Sequence, residues 1–211
     1  MSSDSEERSV AMGIEPYLGL PTLKSFDDMI VVLMDQNDRI AQWVRANSVS
    51  DLQYAAVQLI PQTSSLILGT RELIRQGYLV GAAVMLRPIL ERVSTLAWLV
   101  KHPDDVLLWA EGWRHGTRPN LFKRMKSMTG REDYPEERIR DVLSHWNGVV
   151  HGDPASAAYS IVEQHGNQIG FSPASDHSSP ERAAGLASDA AMYTVALVGH
   201  AAACFPDVGR Q

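Results

Sequence analysis

The stretch from Tyr78 to Lys101, YLVGAAVMLRPILERVSTLAWLVK, decides the fold. Leu79, Ala82, Ala83, Leu86, Leu90, Val93, Leu96 and Leu99 recur at three- and four-residue spacing, which places them on one broad face of an α-helix. Arg87, Glu91 and Arg92 interrupt the apolar run, so the segment is not a convincing bilayer span, which needs about 20 apolar residues. It reads as the core helix of a bundle. Pro88 sits inside it and predicts a local bend.

The pattern on either side is also helical. Upstream, Ser25 is placed to cap a helix that ends near Asn47, with Ile30, Leu33, Met34, Ile40, Trp43 and Val44 on its apolar face. A second helix starts around Val49–Asp51. Pro61 predicts a kink or a split in it, and Gly77 a stop. Downstream, Pro103 suits a first helical position, and the following helix should reach Trp113 and pair Trp109 with it. A short basic helix covers Phe122–Met128 with Lys123, Arg124 and Lys126, and a long one runs from Pro135 to His151, ended by Gly152. Alternation around His165-Gly166-Asn167 points to a small β-hairpin near 159–172, and Ser172–Ser179 reads as a polar loop. Ser179 as cap and Pro180 as first residue open a last, alanine-rich helix to Cys204. The expected fold is all-α, a bundle of five or six main helices. The expected organisation is a disordered lead over 1–22, one helical domain over 23–206 and a tail over 207–211.

Composition fits that reading. The chain has 211 residues, 45% hydrophobic and 21% charged, which excludes bulk disorder, collagen and a disulfide scaffold. The net charge of −6 argues against a broadly basic nucleic-acid clamp but leaves room for a local basic pocket. Cys204 is the only cysteine, so an intrachain disulfide and a thiolate zinc site are excluded. No basic-then-apolar leader opens the sequence, and the expected location is the cytoplasm, away from membranes.

The common catalytic signatures are missing: no Walker A, no G-x-G-x-x-G after a strand, no H-E-x-x-H and no G-x-S-x-G. His102, His115, His165, His177 and His200 have no partners at metal spacing. His145 and His151 are six residues apart, far apart around a helix at about 100° per residue. No metal and no cofactor are expected.

Two local patterns carry chemistry. Arg87 and Glu91 stand four apart on the apolar helix, so they should pair along it and face the helix that ends at His151. Burying a lone charge there costs several kcal/mol, so the pair is either a satisfied interior ion pair or a phosphate contact lining a cleft. The second pattern is Ser144, Asn147, Gly148 and His151, a polar stripe with a gap at Gly148 and with Asp153 placed to orient the imidazole. The bland alternative is a cluster capping the helix end.

The ordering of an Arg-x-x-x-Glu mid-bundle helix, a later helix ending in Asn-x-x-x-His and a polar turn resembles the HEPN superfamily of helical bundles, over residues 25–205. Many HEPN proteins are metal-independent ribonucleases, often toxins or defence effectors, and others are inactive binding or dimerisation modules. The resemblance matches Asn147 to the polar residue of the ribonuclease motif and His151 to its histidine. Trp146 stands where the motif has arginine. Cleavage through a 2′-hydroxyl needs an acid/base group, for which His151 is suited, and a cation for the charge growing on phosphate, which Trp146 cannot supply. Arg87 is the candidate substitute, with Glu91, Ser144 and Asp153 in support. Three readings follow. The first is a non-catalytic binding or regulatory module related to RNA or nucleotides. The others are a metal-independent endoribonuclease using His151, and a small-molecule-binding helical protein. A homodimer is expected from the apolar surplus of Met192, Tyr193, Val195, Leu197 and Val198, and an antitoxin-like protein is the other candidate partner.

Overall fold

Pro21 opens the first helix, α1 (Pro21–Ala46), four residues before the expected start at Ser25. Proline at the first turn is pre-set in φ and lacks only an N–H that would be unpaired there. Ser25 is inside the helix and donates its hydroxyl back to the Pro21 carbonyl. In the computed structural model the described residues are 15–114, 116–131, 133–153, 162–165, 168–171 and 175–208. Residues 1–14 of the expected lead, His115, the Gly166-Asn167 turn and residues 209–211 lie outside them, as does the side chain of His165. The part of the lead that is described is not loose: Tyr17 is buried in the core.

A capping box starts α2 (Asp51–Arg75). Ser50 accepts from the Gln53 N–H, and the Gln53 side chain accepts from the Ser50 N–H. Pro61 neither splits nor ends this helix. Leu59, Ile60, Thr63 and Ser64 are buried around it, and packing on both sides overrides the local preference. The helix closes in a Schellman turn, with the Tyr78 N–H on the Leu73 carbonyl and the Gly77 N–H on that of Ile74. Gly77 has φ +80°, and a Cβ there would stand 2.5 Å from the Asp176 carbonyl oxygen.

The core helix is α3 (Leu79–Lys101), unbroken across Pro88, with Leu79, Leu86, Ile89, Leu90, Val93, Leu96 and Leu99 inside. A 3-10 turn (Pro103–Asp105) and the short α4 (Val106–Ala110) follow. This helix ends earlier than the expected Trp113. Gly112 and Trp113 both have positive φ, and the Trp113 N–H returns to the Leu108 carbonyl, so Trp109 and Trp113 share no helix. Then come α5 (Leu121–Met128), capped by Asn120, and α6 (Glu136–His151). Strand β1 (Val162–His165) pairs antiparallel with β2 (Gln168–Phe171), Val162 opposite Phe171. The last helix is α7 (Pro180–Cys204). Ser179 does not cap it with its side chain; its backbone N–H donates to the Tyr17 hydroxyl instead.

The molecule is an all-α bundle apart from that hairpin. Helix α3 packs against α2, α5, α6 and α7, and α7 in turn packs against α1 and α2. Among the described residues no helix is long and apolar enough to cross a membrane.

Candidate functional site

Arg87 and Glu91 form the i,i+4 pair that their spacing dictates, Nε to Oε1 3.2 Å. The pair is not fully interior: the side chains are 17% and 37% exposed. It lies at the bundle's edge, with Arg87 Nη1 turned inward and without a hydrogen-bond partner among the described residues. The buried cation of this region is a different residue. Arg124, on α5, is 3% exposed and donates Nη1 to the Thr95 hydroxyl at 2.5 Å and to the Glu91 carbonyl at 3.2 Å. Burial pulls its pKa down to about 10; Arg118 adds to this, Glu91 opposes it, and Arg87 adds a smaller push.

The basic-helix reading of Phe122–Met128 missed this burial. A signal was present: Leu121, Arg124, Met125 and Met128 fall at i, i+3, i+4 and i+7, which puts Arg124 on the apolar face.

On α6, the helical period separates the residues of the second pattern. Trp146, Gly148 and Val149 are buried, whereas Ser144, Asn147, His151 and Asp153 are exposed. The stripe with a gap at Gly148 is thereby corrected, because Gly148 belongs to the inner face. The Asp153 N–H bonds the Gly148 carbonyl across Gly152, which has φ +72°, so this glycine and the backbone of Asp153 close the helix.

Trp146 donates its indole N–H to the Tyr193 hydroxyl of α7 at 3.0 Å, both side chains being buried. Burial pushes that hydroxyl above its ordinary range, the Trp146 N–H works against this, and the charges of Asp189 and Arg87 reach it with opposite signs. The structure thus gathers Arg87, Trp146, Tyr193 and Asp189 where α3, α6 and α7 meet. It leaves Asn147 and His151 on the outer face of α6, and no hydrogen bond or ion pair joins either to Arg87 among the described residues.

The polar loop before α7 also holds a residue that the sequence reading passed over. Asp176 is 1% exposed. Its Oδ1 accepts from the Ser178 N–H at 2.8 Å and from the Tyr17 hydroxyl at 3.4 Å, and its own N–H bonds the Gly77 carbonyl at 2.8 Å. This knot ties the segment before α1, the α2–α3 turn and the start of α7 together. Its role is architectural.

Fold and site together define a helical bundle with a sealed Trp–Tyr contact beside a half-open ion pair. Residues 53–145 match the model of a family of unknown function, DUF5677. The match covers α2 to α5 and most of α6, including Arg87, Glu91 and Arg124, and stops before Trp146, Asn147 and His151. No curated protein and no solved structure matches the chain.

Proposed function

We propose that this chain is a HEPN-like cytoplasmic binding or regulatory module, related to RNA or nucleotides, that does not cleave RNA. The observation that carries the reading is the state of Trp146. Where the ribonuclease motif has arginine, this chain has an indole that is buried and hydrogen-bonded to Tyr193. A neutral interior ring leaves the Asn147–His151 pair without the cation that a scissile phosphate needs. Arg87, the other cation the mechanism would call on, is held by Glu91.

The alternative is a metal-independent endoribonuclease using His151. The exposure of Asn147 and His151, one helical turn apart, is what favours it. Incubation of the pure protein with single-stranded RNA in EDTA separates the two. The module reading expects intact RNA. Cleavage by wild type that His151→Ala abolishes would overturn it.

The module acts as a homodimer in this reading, through the outer face of α7. Gly185, Ser188, Met192, Val195, Gly199 and Ala202 are all exposed and alternate at three- and four-residue spacing, with no charge among them. That is the pattern of a helix seam that a second helix can approach closely. An antitoxin-like protein is the other occupant of this face.

A further inference from the structure

The last turn of α3, the exposed side of α5 and the turn after it enclose a cleft of about 450 Å3, lined by Trp98, Lys101, His102, Lys123, Lys126 and Arg131 among others. That volume lies within the range of small-ligand sites. Three of the chain's four lysines converge on it, in a molecule whose net charge is −6. Two of the cations have carboxylate partners: Lys126 with Glu136 at 3.1 Å and Arg131 with Asp133 at 2.9 Å. Both pairs are well exposed and therefore weak, so a phosphate can displace the carboxylates. Lys101 and Lys123 form no ion pair among the described residues. The cleft also has an aromatic wall. The His102 ring stacks on Trp98 with centroids 3.9 Å apart and planes at 30°. The indole is fixed by its N–H, which donates to Asp105 Oδ2 at 2.7 Å. His102 is exposed, so a flat ring can extend the stack.

We propose that this cleft binds a free nucleotide polyphosphate, its phosphates among Lys101, Lys123, Lys126 and Arg131 and its base on the His102–Trp98 stack. Several cations around one small volume match the compact charge of a polyphosphate. A strand instead needs cations spread along a track, and the charge of this chain is acidic overall. Base–aromatic stacking then adds affinity that inorganic phosphate cannot gain. The inference rests on the cleft alone and shares no residue with the Trp146 site, so its failure would leave the non-catalytic reading standing, and the reverse holds too.

Calorimetric titration of the full chain at physiological salt tests it, with ATP, tripolyphosphate, adenosine and tetraadenylate as probes. ATP should bind, tripolyphosphate about fivefold or more weaker, and adenosine not detectably, since stacking alone supplies too little. Lys101→Ala combined with Lys123→Ala, both at exposed positions, should weaken ATP about tenfold or more. His102→Ala should bring ATP down to the level of tripolyphosphate and leave tripolyphosphate unchanged. Absence of ATP binding would overturn the proposal, as would ATP binding indifferent to the lysine pair. Equal affinity for ATP and tripolyphosphate would remove the base contact. Tetraadenylate binding tighter than ATP would make the cleft a strand site and overturn the assignment to free nucleotides.

Discussion

Trp146 is a tryptophan whose polar atom has been given a partner, and the cost of changing it follows from both parts. Trp146→Ala removes a large buried ring and should lower stability by about 3–5 kcal/mol in a denaturant titration. Tyr193→Phe keeps the packing but orphans the indole N–H, which should cost about 1–3 kcal/mol. Arg87→Ala should behave differently. Because the pair with Glu91 is half-open to water, its loss should cost about 1 kcal/mol or less, far below the figure for a sealed pair. Two aspartates, Asp176 buried and Asp189 half-buried, give opposite pH signatures. Burial pushes Asp176 up, but hydrogen bonds from Ser179 and Ser178 and the charge of Arg182 outweigh it, and its pKa falls below the ordinary value. Asp176 therefore adds stability that is fully present above the usual carboxylate range, near pH 4, and is lost as pH falls through the lower folded value. Asp176→Asn should melt several degrees lower than wild type at pH 7, and the gap should narrow below about pH 4. Asp189 is raised, chiefly by burial with His145 opposing, so its charge costs stability at neutral pH. Asp189→Asn should melt higher than wild type at pH 7 and lose that advantage in acid. Melting curves of both variants across pH 3–7 check the signs.

Elements were legible where local chemistry and tertiary packing agree. Gly77 and Gly152 stand at the helix ends that their types announce. Packing overrules propensity elsewhere. The split, one of the two outcomes expected at Pro61, is absent, and Pro61, like Pro88, sits within a continuous helix with buried side chains on both flanks. Trp113, in the turn that closes α4, has φ +53°, which no sequence rule assigns to a bulky residue. At Gly77 two constraints coincide, the positive φ and the Asp176 carbonyl where a Cβ would be. Gly77→Ala should therefore cost more than the ordinary strain of about 1–3 kcal/mol for a residue forced into that region, read from the melting temperature. The face of α7 divides the residues first read as one apolar surplus. Tyr193 and Leu197 belong to the core, and Met192 and Val195 are each 53% exposed. If those two meet a second copy, light scattering at micromolar concentration should give twice the chain mass of 23.3 kDa. Met192→Glu with Val195→Glu should then give the single-chain mass with an unchanged helical spectrum, because neither side chain supports the core.

At the scale of the whole molecule, α3 is the hub that decides which chemistry is reachable. Its inner faces meet α2 and α7, its Arg87–Glu91 edge lies by Arg124 of α5, and its last turn supplies Lys101 and His102 to a separate cleft. The sequence made the Arg87–Glu91 pair legible because i,i+4 spacing is local. It could not show that Trp146 and His151 would face opposite ways from the bundle, since the direction of α6 is set by its packing on α3 and α5 and by the Trp146–Tyr193 bond to α7. Nor could it show that Lys101 and Lys123, 22 positions apart, share a cleft. The distribution of charge then sets a limit on any interaction with RNA. The chain carries 25 acidic against 19 basic residues and, among the described residues, no extended basic track, so any hold on a strand is weak and confined to the cations of the cleft. With the four cations of the cleft engaging a single strand, at about 0.7 per phosphate, the slope of log affinity against log salt should be no steeper than about −3. Fluorescence anisotropy with a labelled 12-mer between about 50 and 200 mM salt measures it. A slope much steeper would require cations that this surface does not bring together, and would point to an assembly in which a second copy extends the track. A shallow slope with no cleavage in EDTA would agree with a module that touches nucleotides at one place and performs no chemistry on them.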